Sequence, residues 1–162
     1  MGLDIRAYAG LVPSDRGVYQ DGDIVSPETG QFVPDLTSFY QHPVYKAWNQ
    51  TVQHQQAYSY FDKLAFWAGS YTGYSGFRNW LEGLAMGPGE NCEPGDPFYE
   101  LVIFSDCEGT IDNIVAQKLH RDFVLHDHKA RTSKFADWYY PTYCNFTNAF
   151  RIASVSGAVR FC

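Results

Sequence analysis

The sequence predicts an α+β fold: one domain over residues 1–162, with a mixed sheet of about four to five strands and packed helices. Three observations lead there. Leu3, Ile5 and Ala7 alternate with Asp4, Arg6 and Tyr8, the period of a half-buried strand. Later segments repeat apolar residues every three to four positions, the period of an amphipathic helix. The two patterns do not follow each other in a regular strand–helix–strand order, so a purely parallel sheet is not expected. The chain has 162 residues, 45% hydrophobic and 19% charged, enough for a real core and unlike a disordered segment.

The elements follow in order. After the opening strand, residues 13–41 form an irregular, loop-rich excursion, with Gly, Pro, Asp and Ser dense up to Pro34 and a hairpin expected around Asp21-Gly22-Asp23. Residues 42–58 have few breakers after Pro43. Tyr45, Trp48, Val52 and Gln56 fall at helical spacing, so a helix with Pro43 in its first turn is expected. The apolar run 64–68 reads as a strand and the glycine-punctuated run 69–76 as a loop. Phe77, Trp80, Leu81, Leu84 and Ala85 then mark a helix. The apolar run 98–104 reads as an interior strand, followed after Gly109 by a helix burying Ile111, Val115, Leu119 and Phe123, with Ile114 beside them. A last helix is expected to start with Pro141 in its first turn, to bury Tyr143, Phe146, Phe150 and Ala153, and to be capped by Gly157. Residues 158–161 read as a short final strand.

Charge narrows the partners. The net charge of −6 disfavours duplex nucleic acid, which is held through basic patches, but leaves room for a small anionic ligand. No run of 18 apolar residues is present, and the first residues carry Asp4 and no apolar stretch of the signal-peptide kind. No membrane partner and a cytoplasmic location, that of the host cell if phage-encoded, are therefore expected. The four cysteines (Cys92, Cys107, Cys144 and Cys162) form no CxxC pair, so reduced thiols are expected and a zinc ribbon is not. The 12 Tyr, 12 Phe and 4 Trp suit either a ring-rich core or an aromatic surface for a protein partner or a homo-oligomer.

Three sets of residues resemble an uncharacterised family of small bacterial, prophage and phage proteins. They are Gly2-Leu3-Asp4-Ile5 with Ala7-Tyr8; Ala68-Gly69-Ser70-Tyr71-Thr72-Gly73-Tyr74 followed by Arg78, Trp80 and Leu84-Ala85; and Pro97-Phe98, Glu100-Leu101, Phe104-Ser105-Asp106-Cys107-Glu108-Gly109, Lys118-Leu119 and Asp122-Phe123. They cover about half the chain, in the family's order. The resemblance implies a cytoplasmic, phage-borne protein and brings with it no activity.

Two polar segments carry the candidate site. In the first, Ser70, Tyr71 and Tyr74 offer hydroxyls before a helix N-terminus, and Arg78 and Trp80 offer a cation and a stacking ring. The segment lacks the GK[ST] ending of a phosphate-binding loop. In the second, Ser105, Asp106 and Glu108 stand between the expected strand and the helix after it. If the two strands are parallel neighbours, both loops open at one end of the sheet, and these residues line one pocket. A plainer role is available for Asp106, Glu108 and Asp112, as caps of the following helix.

No tight divalent ion is expected at Asp106 and Glu108, which lack further oxygen donors nearby. His120, His126 and His128 have poor spacing for chelation. Cys107, between two acids, is expected to be a poor nucleophile. No catalytic residue, metal or cofactor is therefore expected. The reading is a non-enzymatic binding protein of phage or prophage type, a host-defence inhibitor that sequesters a nucleotide-like ligand or blocks a host protein. The alternatives are a metal-dependent hydrolase using Asp106 and Glu108, and a structural or assembly protein.

Overall fold

A computed structural model of the chain describes residues 2–87, 89–104 and 108–162. In chain order the strands and helices are β1 (Gly2–Ala9), β2 (Val12–Pro13), β3 (Val18–Gln20), β4 (Asp23–Val25), β5 (Leu36–Thr37), a 3-10 helix (Pro43–Trp48), β6 (Tyr58–Ser59), β7 (Asp62–Ser70), α1 (Tyr71–Ala85), α2 (Tyr99–Val102), β8 (Gly109–Asp112), α3 (Asn113–Thr132), α4 (Ala136–Ala153) and β9 (Ala158–Phe161). The fold class is α+β, as the sequence predicts.

The main sheet runs β7-β1-β9-β8, and every pair in it is antiparallel. The alternation in β1 sorts its two faces. Leu3, Ile5 and Ala7 are fully buried, and they join one core with Phe77 and Leu81 of α1, Leu119 and Phe123 of α3, and Phe146 and Phe150 of α4. Phe146 sits among rings from several elements, including Phe66, Phe77, Phe123 and Phe161. Much of the aromatic excess is thus core packing. The other face of the sheet carries Asp4, Arg6 and Tyr8. Tyr8 is covered by Phe39 of the excursion and by Val52 and Tyr58 beyond it, and Asp4 and Arg6 are exposed.

The hairpin at Asp21-Gly22 forms as expected between β3 and β4, with both turn residues at positive φ (51° and 103°). Five other segments differ from expectation. Residues 98–104 are not a strand. Phe98 turns the chain at φ 62°, and α2 follows. The buried side chains are Phe98, Leu101 and Phe104, a three-residue step that serves a helical turn; an apolar run this short fits either period. After Gly109 the chain forms β8 before α3, so Ile111 is buried in a strand. Leu119 and Phe123 do pack into the core from α3, Val115 only partly, and Ile114 is 56% exposed.

Residues 42–58 form the 3-10 turn, where Tyr45 stacks on Trp48, then run irregularly to the start of β6 at Tyr58. Residues 69–76 are not a loop. β7 continues to Ser70, and α1 starts at the next residue. α4 starts five residues before Pro141, which sits in its second turn, where the carbonyl left without an N–H belongs to the exposed Asp137. Gly157 follows the end of α4, and its N–H bonds to the Ala153 carbonyl. A side chain there is excluded for a different reason: a Cβ would lie 1.9 Å from the Tyr8 carbonyl oxygen.

Candidate functional site

The residues expected to share a pocket are divided between two sides of α1. Ser70 caps the helix, its Oγ accepting from the Gly73 N–H at 3.1 Å. Tyr71 lies exposed in the first turn, while Tyr74 is fully buried. The Arg78 guanidinium lies 4.9 Å from the centre of the Tyr74 ring and donates to the Phe104 carbonyl at 2.6 Å. Tyr74 and Arg78 therefore stand beside the stretch that enters residues 105–107. Ser105 and Asp106 lie outside the described residues, and Glu108 is exposed.

The topological reason for expecting one pocket fails. The sheet is antiparallel, and residues 98–104 are not one of its strands. Trp80 is two residues past Arg78, about 200° around the helix. It points the other way, and its indole N–H reaches the Ser133 hydroxyl and the Lys134 carbonyl, both at 3.2 Å.

On that second side a groove of about 700 Å³ opens between α1 and the α3–α4 turn. Gly76, Asn79, Trp80 and Gly83 form its α1 wall, at helical spacing of three and four. Glycine at 83 keeps this wall low: a Cβ there would meet nothing within 4 Å, although glycine inside a helix costs about 1 kcal/mol against alanine. The far wall is built where α3 ends at Thr132 and the chain turns through Phe135, at φ 71°, into α4. Tyr139 closes one end, its ring 5.4 Å from that of Trp80.

Two ammonium groups border the groove. Lys129 donates to the Leu84 carbonyl, and Lys134 lies 5.0 Å over the Phe135 ring. No acidic residue lines it among the described residues. The volume falls within the range of small-molecule sites, and the walls join flat rings, hydroxyls and cations.

No family model, curated protein or solved structure matches the chain. The chemistry of the groove has to carry its own reading. Of the expected site residues that are described, only Trp80 lies on it. Lys129, Lys134, Phe135 and Tyr139 were not among the residues singled out in the sequence. The available signal was Gly76 and Gly83, seven apart in a helical pattern, where a close approach or an open face is the usual reason for glycine.

The other polar clusters have structural work. Asp112 is 1% exposed and caps α3 through Ile114 N–H and Val115 N–H, the plainer role foreseen for it. Its second oxygen accepts from the N–H groups of Gln50 and Thr51. Lys118 joins Glu100 and Asp122 at 2.6 and 3.0 Å and fastens α2 to α3. No group of three His, Cys, Asp or Glu side chains is placed to hold a metal among the described residues. The described helices include none long and apolar enough to cross a membrane.

Beside this cluster, burial pushes the Cys92 thiol up to about 11, reinforced by the Glu82 and Asp96 carboxylates. Cys92 is expected to stay a thiol at pH 8 and to react with Ellman's reagent much more slowly than a free cysteine. A rate equal to that of the unfolded chain would contradict this.

Proposed function

We propose that the protein is a non-enzymatic binding protein that sequesters a small aromatic anion of nucleotide kind in the groove between α1 and the α3–α4 turn. One observation carries the reading: Trp80 and Tyr139 rings stand in the same groove as Lys129 and Lys134. A flat base finds a stacking face there, and a negative group finds two cations and, among the described residues, no competing acid. The absence of glycine-loop phosphate chemistry in the sequence fits a site that holds its ligand by stacking and charge. The resemblance implies a phage-borne protein and no activity; a role against host defence is our inference from that setting, and it suits such a protein, since withdrawing a small signal from solution requires no turnover.

The test is native mass spectrometry of protein purified without denaturation, followed by titration with AMP and ADP. Wild type is expected to retain a small molecule or to bind the added nucleotide, and to release it chemically unchanged. Gly83→Met fills the groove from a position with open space in front of its Cβ. It is expected to fold at least as well as wild type and to lose binding. Lys134→Ala is expected to weaken binding about tenfold. Bare protein that ignores both nucleotides, or equal binding by Gly83→Met, would refute the groove.

A further inference from the structure

A second site lies on the opposite face of the main sheet. Arg6 of β1 and Arg160 of β9 are direct cross-strand partners in the antiparallel ladder, so their side chains leave the same face side by side. Lys63 of β7 joins them on that face, across from Tyr8. Like charges placed opposite each other destabilise a strand pair, and a carboxylate beside them would relieve it. Here, among the described residues, none lies within 4.0 Å of the three cations. Arg160 has one long bond, 3.4 Å, to the Ser38 carbonyl. Lys63 lies 5.8 Å from the centre of the Tyr60 ring. This concentration of positive charge occurs in a chain whose net charge is −6.

The three cations also share a cavity. Arg6, Lys63 and Arg160 line a space of about 220 Å³, roofed by the β3–β4 hairpin and by β5. Its volume is below the range of about 300–1,000 Å³ that holds whole drug-sized ligands. It suits a compact anion. Two guanidinium forks beside one ammonium are the donor set that matches the oxygens of a phosphoryl group. Asp23, exposed on the hairpin, is the acidic residue of the lining and works against an anion there.

We propose that this cavity binds a phosphoryl dianion, between Arg6, Arg160 and Lys63. The site is independent of the groove on α1: neither its residues nor its elements are shared. The bound anion would remove the repulsion built into the β1–β9 pair, so occupancy and sheet stability are coupled.

The experiment is isothermal titration with inorganic phosphate at low ionic strength, with melting temperatures measured in parallel. Wild type is expected to bind, more weakly as salt is raised, and to melt higher with phosphate than with chloride. Arg6→Gln is expected to weaken binding about tenfold or more, without lowering the melting temperature of the phosphate-free protein, because one of two facing like charges is gone. Arg160→Lys keeps the charge and loses the fork; it should also bind more weakly. Asp23→Asn should bind more tightly. Trp80→Ala should leave phosphate binding unchanged, which separates this site from the groove. Titration with AMP in the Trp80→Ala background distinguishes sources. Affinity equal to that for phosphate marks a site for the free ion, and tighter binding that Arg6→Gln abolishes marks the phosphoryl end of a larger ligand. Wild type that ignores phosphate, or Arg6→Gln and Arg160→Lys both binding as wild type does, would overturn the proposal.

Discussion

Replacing Lys118 with Met is expected to destabilise the protein by about 3–5 kcal/mol, the usual cost of removing one partner of a buried ion pair. Lys118 is the cation between Glu100 and Asp122, whose side chains are only 15% and 13% exposed, and it also donates to the Asp96 carbonyl. Without it, two carboxylates face each other with little water. Asp122 has a second duty: it accepts the N–H of Phe98, the residue that turns the chain into α2. The loss should therefore begin locally, along residues 92–102, and Cys92 should become reactive before the protein unfolds globally. Urea denaturation combined with the Ellman rate measures both. Adding Glu100→Gln and Asp122→Asn to Lys118→Met should recover part of the stability, because the stranded charges are gone. A single variant within about 1 kcal/mol of wild type would show that the cluster is hydrated and of little weight.

Asp112 is expected to show an effect of similar size and a sharper chemical signature. It accepts four backbone N–H groups: Ile114 and Val115 at the start of α3, and Gln50 and Thr51 just after the 3-10 helix. Asp112→Ala leaves all four donors without their acceptor and is expected to cost about 3–5 kcal/mol, or roughly 10 °C in Tm. Asn replaces Asp at ordinary helix N-caps with little loss. Here it should not, because its NH2 would meet either the helix donors or those of Gln50 and Thr51. Asp112→Asn is thus expected to cost at least about 1.5 kcal/mol. Thermal melts followed by far-UV circular dichroism decide the matter, and an Asn variant that melts with wild type would show that one oxygen suffices.

Asp112 also illustrates what was legible in the sequence. Its capping role followed from an acid just before an amphipathic stripe. Its hold on Gln50 and Thr51 did not, because no local pattern announces a partner some sixty residues away. The same division runs through the fold. β1 and the α1 stripe were readable from their periodicity, and β7 and β9 as apolar runs that abut a glycine, Gly69 and Gly157. The segment 98–104 was not, since Phe98, Leu101 and Phe104 serve a helical turn as well as a strand, and the deciding bond comes from Asp122 on a distant helix. The expected site was misread for a related reason. Ser70, Tyr74, Arg78 and Trp80 lie within eleven residues of one another, but a helix begins at once and turns Trp80 away from Arg78. What the loop reading grouped by closeness in sequence, a helix sorts by angle.

The place of β9 in the sheet bears on how the molecule assembles. It lies between β1 and β8, and Tyr8 and Ala158 are neighbours across the ladder although nearly the whole described chain separates them. α3 and α4, joined by a short turn, can dock locally, but β1 must close the long segment between Ala9 and Asp62 to pair with β7, and β8 has no sheet partner until β9 arrives. The ladder therefore closes late and at a high entropic cost, the hallmark of a slow two-state folder for its size. Until then the inner edges of β1 and β8 present unpaired backbone to solvent. The interval before closure is when the chain is most exposed to strand exchange with its neighbours, so refolding yield should fall as protein concentration rises even though the finished fold hides those edges.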